Sequence, residues 1–168
     1  MRIKLFATII TIMLLGGCSK NNTVINFNCL VNGTSVNGNA VTFYNNTAGT
    51  PTFQVTMSGP NISAVTIVWY NINTLADEAN ITDRSYTMPA NPMPPLTVSG
   101  SYAGQLSSAI YNTGTGNKLD GNVTVTKNTG PGGVISGTFY FNGLNSVNSL
   151  DTVHITQGTF TSVPVVTS

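Results

Sequence analysis

Thr52-Phe53-Gln54-Val55-Thr56-Met57 decides the fold class. Its apolar residues, Phe53, Val55 and Met57, alternate with Thr52, Gln54 and Thr56. An extended chain turns successive side chains to opposite faces, so this period of two makes one apolar face and one polar face. The same reading extends outward to residues 25–31, 40–44, 62–70, 84–88, 96–103, 106–112, 122–127, 133–142 and 152–160, rich in Val, Ile, Thr, Phe and Tyr. Such residues suit a half-buried pleated surface. Between the strands lie turn signals. Asn32-Gly33 predicts a tight hairpin turn, and Pro89, Pro92, Pro94 and Pro95 predict a stiff, extended loop at 89–95. The glycines of 113–117 and 130–133 predict flexible hairpin tips. No stretch after residue 24 carries a helical period beyond a single turn at 73–79. About ten strands at this spacing predict an all-β fold, an antiparallel β-sandwich or partly open β-barrel, as a single β-domain over residues 25–168.

Composition supports this and excludes other classes. Only 7% of the 168 residues are charged, against about 25% in an average domain. The chain instead holds 25 Thr, 14 Ser, 21 Asn and 17 Gly. Coiled coils need Glu, Lys and Leu, so that class is excluded. A formal net charge of +1 excludes an electrostatic nucleic-acid binder.

The N-terminus addresses the chain. Arg2 and Lys4 precede an apolar run from Leu5 to Leu15, broken only by Thr8 and Thr11. That run falls short of the roughly 20 residues of a membrane-spanning helix and suits a signal peptide. It ends in Leu15-Gly16-Gly17-Cys18, which resembles the bacterial lipobox. The resemblance implies a cleaved signal helix at 1–17, a diacylglyceryl thioether on Cys18, and a lipidated tether at 18–24. The expected partner is therefore a membrane, engaged through the lipid anchor, in a bacterial cell envelope. Six residues from Ser19 to Val24 reach at most about 20 Å, so the domain sits near the bilayer. Ser19 stands where enteric lipoproteins kept in the inner membrane carry Asp, which favours the outer membrane and leaves the leaflet face open. After cleavage Lys20, Arg84, Lys118 and Lys127 face five acids, a net charge of −1.

Catalytic parts are scarce. His154 is the one histidine and, opposite Val153 and Ile155 in parity, is expected to face solvent. Asp151 lies near it, but nothing supplies a nucleophile elbow. Cys29 shares parity with Ile25, Phe27 and Val31 and is expected in the core. Asp77, Glu78 and Asp83, with Asn80, form the one acidic cluster; they are either a solvated turn or a calcium site made of oxygen ligands. No cofactor and no enzyme activity are expected. Aromatic residues remain. Trp69 and Tyr70 are neighbours on opposite faces, so one of them is available for ligand stacking, and Tyr44, Tyr86, Tyr102, Tyr111 and Tyr140 are further candidates for a sugar platform or for ordinary packing. Asp151-Thr152-Val153 resembles an O-glycosylation acceptor of Bacteroidota, which would place a glycan on Thr152 and requires it exposed.

Four segments carry a wider resemblance: Phe27-x-Cys29-x-Val31-Asn32-Gly33, Gly121-x-Val123-x-Val125-Thr126-Lys127, Ile135-Ser136-Gly137-Thr138-Phe139-Tyr140-Phe141 and Val153-x-Ile155-Thr156-Gln157-Gly158-Thr159-Phe160. Together they resemble a family of uncharacterised, Cys-anchored, β-rich lipoproteins from Bacteroidota, mainly over the last 50 residues. Gln157 stands where that family usually has Asn. The resemblance implies a domain of unknown function and brings no catalytic residues. Gly137-Thr138-Phe139 and Gly158-Thr159-Phe160 also echo each other, which predicts two similarly placed strands. The expected function is that of a non-catalytic envelope lipoprotein, binding or structural, with an envelope protein or glycan as a further partner. A lipocalin-like carrier of a small apolar ligand and a carbohydrate-binding or adhesive module are the alternatives.

Overall fold

The computed structural model describes residues 25–45, 52–60, 62–70, 85–88, 97–105, 109–113, 121–148 and 150–166. Ten strands run through them: β1 (Phe27–Val31), β2 (Thr34–Asn45), β3 (Thr52–Gly59), β4 (Ile62–Tyr70), β5 (Ser85–Met88), β6 (Thr97–Gly104), β7 (Ile110–Asn112), β8 (Gly121–Asn128), β9 (Val134–Asn145) and β10 (Thr152–Pro164). Each expected strand is present. The signal segment and tether, 1–24, lie outside the described residues.

Every pairing is antiparallel, and the order β10-β1-β2-β3-β4-β6-β7-β9 closes on itself because β10 also pairs with β9. The circuit is therefore an eight-strand barrel. This corrects the sandwich alternative and the expectation of a partly open wall: β1 has β10 on one side and β2 on the other, so the sheet has no seam there. Closure satisfies ladder groups that a sandwich would leave at its edges. β9 is long enough to serve two neighbours on one side. Its first half pairs with β8, which carries β5, and its last residues pair with β7.

Local chemistry fixes the hairpins. At Asn32-Gly33 both residues have positive φ, 48° and 82°, the twist that a two-residue turn between right-twisted strands requires. The Asn32 side-chain oxygen also accepts from the His154 backbone N–H at 2.8 Å, which ties this turn to β10. The 130–133 tip is not the free loop that its glycines suggested. Gly132 N–H donates to the Val165 carbonyl and Val165 N–H to that of Gly133, so the tip is held against the end of the chain.

The interior is one apolar cluster in which Trp69, Phe27, Phe53, Phe141 and Phe160 are the largest sealed side chains. Burying each side chain of this size contributes about 1.5–3 kcal/mol. The 137–139 and 158–160 echo has a direct structural meaning. The two segments pair with each other in register, Gly158 opposite Phe139 and Gly137 opposite Phe160. A Cβ on Gly158 would stand 2.5 Å from the Phe139 ring, and one on Gly137 2.6 Å from the Phe160 ring. Each ring thus covers the other strand's glycine, and the two rings meet at 6.3 Å between centroids.

Candidate functional site

On the outer wall, β8, β9 and β10 hold a groove of about 540 Å³ lined by Asn122, Thr124, Thr138, Phe139, Tyr140, Gln157, Gly158 and Thr159. Alternation on β9 sends Phe139 and Phe141 inward and Thr138 and Tyr140 outward. Tyr140 is 49% exposed. On β8 the half-buried Asn122 and Thr124 are bonded to each other, hydroxyl to amide oxygen, at 3.0 Å. Across β9, the register of β10 slips between Ile155 and Gly158, and Gln157 takes a positive φ of 52°. Such a bulge bends a strand and re-aims its side chains, and here it sets Gln157 at the groove. The lining offers two amides, three hydroxyls and one exposed ring, with no ionisable group other than the phenol.

The sequence pointed to Trp69 and Tyr70 for stacking, and Trp69 cannot do this. It is 0% exposed and tilted against Phe53 at 5.7 Å. Its parity with Val65 and Ile67 carried that information, since all three turn to the core. Tyr70 is half-buried on the opposite face, its hydroxyl 3.2 Å from that of Ser99. Tyr140 is the candidate that the groove selects, on a strand that alternation placed correctly but whose neighbours it could not name.

His154 is exposed, as its parity predicted, and its Nδ1 lies 2.6 Å from the Asn142 amide oxygen across β9 and β10. Cys29 is buried, and burial pushes its thiol up to about 11, so it is a poor nucleophile at neutral pH. Thr152 is exposed, as a modified residue must be. Cys18, Asp77, Glu78 and Asp83 lie outside the described residues; among those described, no three His, Cys, Asp or Glu side chains gather. No helix among the described residues is long and apolar enough to cross a membrane.

One polar cluster was missed from sequence. The Tyr111 hydroxyl donates to Asp151 Oδ2 at 2.7 Å and Asn145 Nδ2 donates to the same oxygen at 2.9 Å. The Asn145 amide and then the Tyr111 hydroxyl hold the Asp151 carboxyl below its ordinary range, while donation to Asp151 raises the Tyr111 hydroxyl. Asn145 ends β9, Asp151 sits on the β9–β10 connection and Tyr111 on β7, and no linear motif joins them.

The fold and the groove together define a closed antiparallel β-barrel with an uncharged groove on its wall. A family model described as Domain of unknown function (DUF6252) matches residues 73–164, more than half of the chain, and the chain belongs to that family. The match takes in the reciprocal glycine–phenylalanine pairs, begins earlier than the last 50 residues, and leaves out the 27–33 echo. No curated protein and no solved structure matches the chain.

Proposed function

We propose that this protein is a non-catalytic lipoprotein of the bacterial cell envelope, anchored through Cys18, with the outer membrane favoured, and that it binds neutral glycan on its barrel wall. The groove over β8, β9 and β10 is the observation that supports this reading. Amides and hydroxyls match the donor and acceptor pattern of sugar hydroxyls, and an exposed tyrosine face packs against the apolar face of a pyranose ring. The lack of charge suits a neutral ligand. A closed eight-strand barrel also suits a lipocalin-like carrier, but the described interior side chains are packed together as one cluster, which puts that reading second.

The test is a glycan array followed by titration calorimetry of the best ligand. Tyr140→Ala, on the outer surface, is expected to weaken binding tenfold or more and leave the melting temperature unchanged within about 2 °C. An array with no hits for the wild type would remove the glycan reading.

A further inference from the structure

The end of the barrel from which the N-terminal tether leaves carries an apolar collar, and we propose that this collar rests in the surface of the bilayer that holds the lipid. The proposal builds on the anchor reading above. The chain enters β1 through a notch between β2 and β10. Asn26 N–H donates to the Gly38 carbonyl, and the Asn26 side chain bonds both backbone groups of Ala40. On the other side Thr161 N–H donates to the Asn26 carbonyl. Beyond this point β2 and β10 meet directly. The Thr42 hydroxyl donates to the Pro164 carbonyl at 2.8 Å and accepts from Val166 N–H at 3.0 Å.

Apolar side chains surround that notch and face outward. Ile25, the first described residue, is 63% exposed, and Val41 and Phe43 on the outer face of β2 are 46% and 47% exposed. Pro164 on β10 is exposed as well. Cys18 lies seven residues before Ile25, a span of at most about 25 Å, so a lipid at Cys18 keeps this end close to the membrane. The far end exposes Val147 and Leu150 as well, so the tether and the charge, not apolar exposure alone, choose between the ends. Lys127 is the one cation among the described residues, and it lies near the end of β8 that leads into the 130–133 tip held against Val165. Asp151, the one acid described, follows the far turn of the β9–β10 hairpin. A face with exposed aliphatic and aromatic side chains, no described acid and a nearby lysine suits the headgroup and upper acyl region of a bilayer.

The experiment uses the full-length lipidated protein in phosphatidylcholine vesicles containing a quarter phosphatidylglycerol. Phe43→Cys and Val147→Cys, at opposite ends of the barrel, each receive an environment-sensitive fluorophore, Cys29 being buried. Vesicles with a nitroxide near the headgroup are expected to quench the label at 43 at least threefold more than that at 147. Equal quenching at both positions, with the protein still bound to vesicles, overturns the collar and leaves the anchor standing. Cys18→Ala reads the anchor separately: it is expected to move the protein to the soluble fraction. A wild type found soluble would overturn both readings.

Discussion

At the scale of single residues, the informative pairs are Gly158 with Phe139 and Gly137 with Phe160. Alternation made both segments strands, and their shared Gly-Thr-Phe sequence marked them as similar. What the sequence did not state is that they face each other, because the pairing partner of a strand is a property of the closed sheet. Trp69 is the converse case: its inward direction was legible from Val65 and Ile67, yet its aromatic chemistry drew attention outward. Gly158→Ala is expected to cost about 1–3 kcal/mol, since a methyl group at 2.5 Å from the Phe139 ring forces that ring from its place. Phe139→Leu in the same chain should recover a measurable part of that loss, with a coupling of about 0.5–3 kcal/mol in a urea-denaturation cycle. Strict additivity would mean that the two positions do not meet.

At the scale of elements, β10 and its connection to β9 hold what sequence reading left out. β10 slips register twice against β9, between Ile155 and Gly158 and between Phe160 and Val163. The residues with positive φ there are Gln157 and Ser162, where glycine or asparagine would have been the recognisable signal. The bulges, and with them the groove at Gln157, were therefore silent in the sequence. The β9–β10 connection is laced by Asn145, whose side chain accepts from Val147 N–H, and by Asn148, which accepts from Leu150 N–H. Asp151 fastens it to Tyr111. A lowered Asp151 carboxyl stabilises the fold fully above its unfolded value, near 4, and less as pH falls through the folded value. A raised Tyr111 hydroxyl does so fully below about 10 and less as pH rises through its folded value. Hydrogen-exchange protection of the Asn145 and Asp151 amides, corrected for intrinsic rates, is expected to be flat between these limits and to fall outside them. Tyr111→Phe should shrink the alkaline limb, and part of what remains belongs to the buried Cys29 thiol, raised to about 11.

At the scale of the molecule, the family match and the barrel do not share a boundary. Residues 73–164 include β5 to β10, while β1 to β4 supply half of the closed circuit. Without them β6 loses β4 and β10 loses β1. A fragment of residues 73–168 is thus expected to be aggregated or unfolded, with no dispersed amide spectrum, because two bare edges and a halved core remain. A folded, monomeric fragment would contradict this. Composition made the all-β class legible, since a surface of Thr, Ser and Asn suits strands. The same neutrality hid the groove, because uncharged binding surfaces leave no trace in net charge or motif.

The seating of β1 between β2 and β10 also sets a timetable. The first strand of the barrel needs the last one as a neighbour, so the circuit cannot close until nearly the whole chain is present. Contacts between distant parts of a sequence form slowly, because a long loop must be ordered before its ends gain anything. A chain delivered from its N-terminus exposes the open side of β1 throughout that wait. For this protein, vulnerability to aggregation belongs to the time before β10 arrives, and the finished barrel has no strand left to offer there.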